Sequence, residues 1–144
     1  HFFLAAYYEE SRDMDAAVRE LKETIRLDPD YAEAYNYLGY MFAEAGVNLD
    51  GAVILIKKAL EYEPDNGAYL DSLAWVYFKK GMINEALAEA ERAVGFEPDD
   101  AIIRDHLGDI YLKAGFADKA TEEWKKSLEL DPNQESVQEK LKGR

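Results

Sequence analysis

Residues 61–81 read EYEPDNGAYLDSLAWVYFKKG, and residues 95–115 read GFEPDDAIIRDHLGDIYLKAG. Both carry one phrase: an acid, Pro and Asp, then a mixed apolar and polar run that closes on Gly. Residues 26–46, RLDPDYAEAYNYLGYMFAEAG, say it earlier, and residues 128–136, LELDPNQES, begin it again. The prolines stand at 29, 64, 98 and 132, so the spacings are 35, 34 and 34. Proline removes a helical N–H and biases its predecessor out of the helical region, so each one ends a helix. The short Asp or Asn directly after it (Asp30, Asp65, Asp99, Asn133) is expected to cap the next helix. A second break falls midway, at Gly46, Gly81 and Gly115, with Arg12 holding that place in the first copy. Each unit is therefore two helices joined by tight turns. No segment shows the period-two alternation of a strand, so the fold class is all-α.

Composition sets limits on function. The chain has 144 residues, no cysteine and a formal net charge of -13. Disulfides and thiolate metal sites are excluded. The acidic balance argues against nucleic acid and anionic membranes, since phosphate binding needs a basic footprint. No apolar run approaches the roughly 18 residues of a membrane span, so a soluble protein is expected, with cytoplasm and bacterial periplasm both open. The chain starts on His1 inside a helix-like run, HFFLAAYYEE, and is expected to be part of a longer array or protein.

On these residues the chain resembles the tetratricopeptide repeat family. The second unit supplies Tyr35, Leu38, Gly39, Phe42, Ala52, Ile56, Ala59 and Pro64. The third supplies Leu70, Leu73, Ala74, Tyr77, Ala86, Ala90, Ala93 and Pro98. The fourth has Leu107, Gly108, Tyr111, Ala120, Trp124, Ser127 and Pro132, with Arg104 where a large apolar residue is expected. The first keeps Leu4, Ala5, Tyr8, Ala17, Leu21, Thr24 and Pro29. The resemblance implies a right-handed superhelical solenoid of antiparallel helix pairs over 1–31, 32–66, 67–100 and 101–134, and the wording is similar to bacterial members. Residues 135–144 would form a capping helix, with Val137 and Leu141 on its buried face.

The packing logic agrees. Gly39, Ala74 and Gly108 are small where the helices of one pair should cross, opposite Ala52, Ala86 and Ala120. Phe42, Tyr77 and Tyr111 supply bulk between units. The extra residue of the second unit falls in GVNLDG (residues 46–51), where it should lengthen a turn and leave the helical register intact.

Catalysis is not expected. There is no Gly-rich phosphate loop, no nucleophile with a base and no metal-ligand spacing. Asp105, His106 and Asp109 cluster on one turn, but catalysis needs groups converging from several segments. His106 is expected to point toward the neighbouring inter-repeat loop. No cofactor or metal is expected, and the chain is read as a non-catalytic scaffold for protein–protein interaction.

The resemblance implies that the first helix of each pair lines a concave groove. That face would take Phe2, Ala6 and Glu9 from the first unit and Glu33, Asn36, Tyr40 and Glu44 from the second. It would take Asp71, Trp75, Phe78 and Lys79 from the third, and Ile102, Asp105, Asp109, Leu112 and Lys113 from the fourth. Acids, with Glu10 added, outnumber lysines there, so the expected partner is a protein or peptide segment with apolar anchors and basic residues. The places where chaperone-binding members hold a carboxylate clamp carry Phe2, Ala6, Tyr37, Ala68 and Ser72, none of them basic, so an acidic chaperone tail is not expected. On the other face, Val53–Ile56 is a run of four apolar residues. At least one must be exposed, and Ile54 is the candidate for a convex contact or self-association. The alternatives are a structural or oligomerising segment, and the scaffold part of a larger enzyme.

Overall fold

A computed structural model of the chain describes residues 14–143. Among them every regular element is an α-helix: α1 Met14–Leu27, α2 Ala32–Ala45, α3 Leu49–Tyr62, α4 Gly67–Lys80, α5 Ile83–Phe96, α6 Ala101–Lys113, α7 Ala117–Leu130 and α8 Glu135–Lys142. The breaks fall at Pro29, Gly46, Pro64, Gly81, Pro98, Gly115 and Pro132, as the spacing predicts. Arg12, the expected first helix and the groove residues Phe2, Ala6, Glu9 and Glu10 lie outside the described residues.

The turn chemistry explains the stops. Gly46 and Gly81 close α2 and α4 at φ 69° and 81°, a left-handed conformation that costs a Cβ-free residue nothing. The next N–H then reaches back over the last turn: Val47 to the Phe42 carbonyl at 3.1 Å, and Met82 to that of Tyr77 at 2.9 Å. The extra residue of the second unit sits where expected. Asn48 there takes φ 48°, the one non-glycine residue at positive φ among those described, and asparagine tolerates that region better than most.

Capping corrects the sequence reading by one position. Asn66 accepts the Tyr69 N–H at 3.0 Å, and Asp100 accepts those of Ile102 and Ile103 at 3.0 Å. Proline and the Asp after it are both spent in the turn, so the cap is the second residue past proline.

The chain divides into two compact units, His1–Pro64 and Asp65–Arg144. In the first, Ala17, Leu21, Ala34, Leu38 and Met41 form the core, with Ile25, Phe42 and Leu55 against it. In the second, Ala74, Ala86, Ala90, Leu107, Ile110, Tyr111, Ala120, Trp124 and Val137 form a larger one. Val137 and its neighbour Leu141 bring α8 onto α7, as the capping pattern requires.

Within a pair the small residue meets more than an alanine. A Cβ built on Gly39 would lie 2.7 Å from Ile56 Cγ1 and 3.0 Å from the Ala52 carbonyl. One built on Gly108 would lie 2.5 Å from Trp124 Cδ1. Where the third repeat has Ala74 in place of glycine, it has Ala90 in place of the bulky partner, both fully buried. Volume is conserved across the crossing, which is what a close-packed interior demands.

Gly108→Ala should therefore cost about 1–3 kcal/mol in urea unfolding through overpacking. Gly95→Ala, on an exposed stretch of α5 with nothing within 4 Å, should gain about 0.5–1 kcal/mol by lowering unfolded-state entropy. Equal effects at the two glycines would show that the crossing is not tight.

Candidate functional site

In the C-terminal unit α4 carries Asp71, Trp75, Phe78 and Lys79 at spacings of four, three and one, which is one helical face. The neighbouring α6 brings up Asp105, His106, Asp109, Leu112 and Lys113. Phe78, Trp75 and His106 form a continuous stack. The Phe78 and Trp75 centroids are 5.0 Å apart, and those of Trp75 and His106 are 4.4 Å apart, each pair inclined by 21°. Lys79 Nζ stands 5.4 Å from the indole centroid, within cation–π reach. Beside the stack, Phe78, Asp109, Leu112 and Lys113 line a shallow depression of about 350 Å³.

Three of the expected groove acids are already engaged. His106 Nδ1 lies 2.8 Å and 3.0 Å from the two carboxylate oxygens of Asp71, with both side chains nearly buried (12% and 10% exposed). Lys140, on α8, donates to Asp105 Oδ1 at 2.7 Å and to Asp109 Oδ2 at 3.1 Å. Asp109 also accepts the Trp124 indole N–H at 3.3 Å.

The ionisation follows the geometry. Burial pulls the His106 imidazolium down, but the hydrogen bond and charge of Asp71, with Asp105 and Asp109 behind, outweigh it and leave the pKa above the ordinary histidine value. Burial raises the Asp71 carboxyl, with the His106 hydrogen bond working against it. Burial likewise raises Asp109, opposed by the Lys140 hydrogen bond. Burial opposes the Lys140 ammonium, and the hydrogen bonds to Asp105 and Asp109 more than restore it.

Two corrections follow. His106 does not turn to an inter-repeat loop; it reaches across to Asp71, whose carboxylate offsets the cost of burying the charged ring. The carbonyl of the preceding turn is instead held by Arg104, which donates to Pro98 O at 3.0 Å, as Tyr35 does to Pro29 O at 2.7 Å. Second, Asp71, Asp105 and Asp109 are not open carboxylates awaiting a cation, and the local charge near Trp75 is close to balanced.

The other expected groove residues belong to the N-terminal unit. Glu33, Asn36, Tyr40 and Glu44 share one face of α2, with Glu33 and Glu44 exposed and the other two half-buried. Asn36 Oδ1 is buried with no hydrogen-bond partner among the described residues. Ile54 is 70% exposed on α3. Among the described residues no cluster of three or more His, Asp or Glu is arranged to hold a metal ion, and no helix is long and apolar enough to cross a membrane.

Lys140 was not recognised from the sequence, yet a signal was present. Asp71–His106 and Asp105–Lys140 are both 35 residues apart. Each acid stands seven residues after a proline and each cation eight, so α8 repeats the register of α6.

Sequence comparison matches residues 4–70 and 68–100 to the tetratricopeptide repeat. A TPR repeat-containing protein of Pseudomonas aeruginosa is 37% identical over 84 residues, which is 58% of this chain and 14% of that protein. The chain thus matches a small fraction of that relative's length. A thermophilic TPR protein of Thermus thermophilus superposes over 99% of this chain and 78% of its own, with TM-score 0.89 and 22% identity. The structure of MamA covers 95% and 80%, with TM-score 0.77 and 22% identity. That of pilF of Pseudomonas aeruginosa covers 94% and 62%, with TM-score 0.84 and 24% identity. These likenesses establish an all-α helical-repeat fold.

Proposed function

Because the chain belongs to the tetratricopeptide repeat family, whose fold is that of a protein-interaction scaffold, we propose that it is a non-catalytic module binding a peptide or protein segment on the face that carries Trp75. The observation that supports this reading most is the Phe78–Trp75–His106 stack beside Leu112 and Lys113. Half-buried aromatics held rigid by stacking offer large contact area at little entropic cost. Asp71 fixes His106, and His106 fixes one face of the indole, so the shelf is organised before any partner arrives.

The partner chemistry is an apolar or aromatic anchor first and charge second. With Asp71, Asp105 and Asp109 engaged internally, the acids of the C-terminal unit add little attraction for a basic segment. In the N-terminal unit the exposed Glu33 still favours Lys or Arg, worth more to association rate than to affinity.

Pull-down from a bacterial lysate with wild-type and Trp75→Ala chains tests the reading, followed by titration of the captured partner. Trp75→Ala is expected to weaken binding roughly thirtyfold, the equivalent of about 2 kcal/mol for a buried aromatic anchor. Asp109→Asn should change it severalfold at most. Wild-type yield with Trp75→Ala would mean that another surface does the binding.

A further inference from the structure

The N-terminal unit holds an apolar cleft at positions whose equivalents in the C-terminal unit carry paired polar side chains. Between α1 and α3, with α2 as floor, lies a depression of about 400 Å³. Ile25 forms one wall, Ile54 and Leu55 the other, and Leu38 and Phe42 the floor.

The repeat supplies an internal control. Counted from the prolines, Tyr35, Phe42, Ile54 and Leu55 correspond to Arg104, Tyr111, Glu122 and Glu123, and Lys22 to Glu91. In the C-terminal unit those positions close on themselves. Arg104 Nη1 donates to both Glu123 oxygens at 3.0 and 3.2 Å, and Tyr111 OH donates to Glu91 at 3.1 Å. The burial of Arg104 and Glu123 shows that polar side chains fill that cleft. The fold therefore does not require an apolar opening here, and the N-terminal unit has one nonetheless, with Ile54 at 70% exposure on its rim.

Lys22, on α1, is the charged residue in the lining of the cleft. On the other side of Ile54 and Leu55, an adjoining depression of about 420 Å³ is lined by Lys57, Lys58 and Glu61 of α3. Lys58 pairs with Glu61 at 3.2 Å, while Lys22 and Lys57 have no ion pair among the described residues. In a chain with 30 acidic and 17 basic residues, an apolar cleft with Lys22 in its lining and Lys57 in the adjoining depression, neither in an ion pair among the described residues, is a local reversal of sign.

We infer that this convex cleft of the N-terminal unit is a second docking site, and that it takes an acidic amphipathic segment whose apolar side chains enter between Ile25 and Ile54 while its carboxylates meet Lys22 and Lys57. Apolar contact supplies the affinity, and the lysines set orientation and discriminate against basic segments. The site belongs to the N-terminal unit, and it stands whether or not the Trp75 shelf of the C-terminal unit binds.

The test uses a short fluorescein-labelled amphipathic helix with leucines on one face and glutamates flanking them, titrated by anisotropy against the full chain. Two counter-probes carry lysine for glutamate, or alanine for leucine. The glutamate probe should bind, and both counter-probes should bind roughly tenfold or more weakly. Ile54→Glu should lower the affinity of the glutamate probe by roughly tenfold or more. Lys22→Glu/Lys57→Glu should lower it severalfold and flatten its salt dependence. Trp75→Ala should leave it unchanged. Ile54 is exposed, so its replacement should preserve the melting temperature, and Ile54→Ala serves as the milder companion. Equal binding of the lysine probe, or an Ile54→Glu chain that binds like wild type, overturns the proposal. So does concentration-dependent dimerisation abolished by Ile54→Glu without probe binding, which would make the cleft a contact between copies.

Discussion

Trp124→Ala is expected to remove about 3–5 kcal/mol of stability, a large part of the roughly 5–15 kcal/mol that holds a domain of this size. Its side chain is 1% exposed and belongs to the core of the C-terminal unit. The indole lies against Gly108, which has no side chain to fill the space it leaves. Its N–H donates to Asp109, and Lys140 Nζ stands 5.8 Å from its ring. Removing it therefore opens a cavity and loosens the α6 and α8 groups that flank the shelf. Urea unfolding followed by circular dichroism measures the loss. A double-variant cycle identifies its cause: Gly108→Ala should cost much less in the Trp124→Ala background, because the added methyl then enters empty space. Additive losses would show that glycine and indole are not in contact.

His106→Leu is the second large effect. It leaves the Asp71 carboxylate buried and without its cation, and breaking such a pair costs about 3–5 kcal/mol at neutral pH. The pH dependence separates this from a packing defect. In the wild type the folded-state pKa of His106 is raised, so the contribution of the imidazolium is fully present below the unfolded value of about 6.5 and is lost as pH rises through the folded value. Asp71 is also raised, by burial, and its cost to stability develops over a lower range, from its unfolded value of about 3.9 up through its own folded value. In His106→Leu only the carboxyl remains. Its raised pKa makes the variant most stable below about pH 4 and progressively weaker above it, with the deficit against wild type widening toward neutrality. Asp71→Leu/His106→Leu should recover most of the loss, since a buried ion pair is often replaced by apolar residues at little cost. If the single and double variants unfold at the same urea concentration at neutral pH, Asp71 is not an uncompensated charge. Trp75 fluorescence gives a further readout, because the imidazole stacked on it should change its emission as it titrates, and His106→Leu should abolish that step.

The double helix pairs, their turns and the crossing glycines were legible in the sequence because each is a local effect. A proline removes one N–H and fixes one φ, and a glycine accepts a left-handed φ wherever it stands. The 34-residue spacing of Pro64, Pro98 and Pro132 then repeats those local rules. Apolar periodicity adds which face is buried, so Val137 and Leu141 could be placed on the covered side of the last helix without coordinates. Trp75, Phe78 and Ile54 could be assigned to faces by the same register.

Charge was the part that could not be read this way. From the sequence Asp71, Asp105 and Asp109 are three acids on a groove face, and they stay so until something shows what lies across from them. Their partners, His106 and Lys140, come from helices one repeat further along, and α6 and α8 reach them only through tertiary packing. A carboxylate's electrostatic meaning depends on its distance to a counter-charge and on how much water remains around it, and neither is a property of its own neighbours in sequence. The two convex clefts differ for the same reason. Arg104 is a polar residue at an expected apolar place, and Glu123 one acid among many, until the fold brings them to 3.0 Å. Ile54 reads from the sequence as one exposed apolar residue and a candidate contact; only the filled equivalent positions show that it edges an open cleft. Sequence determined the repeat, its elements and its faces; tertiary structure alone decided which of the charges on those faces are free to meet a partner.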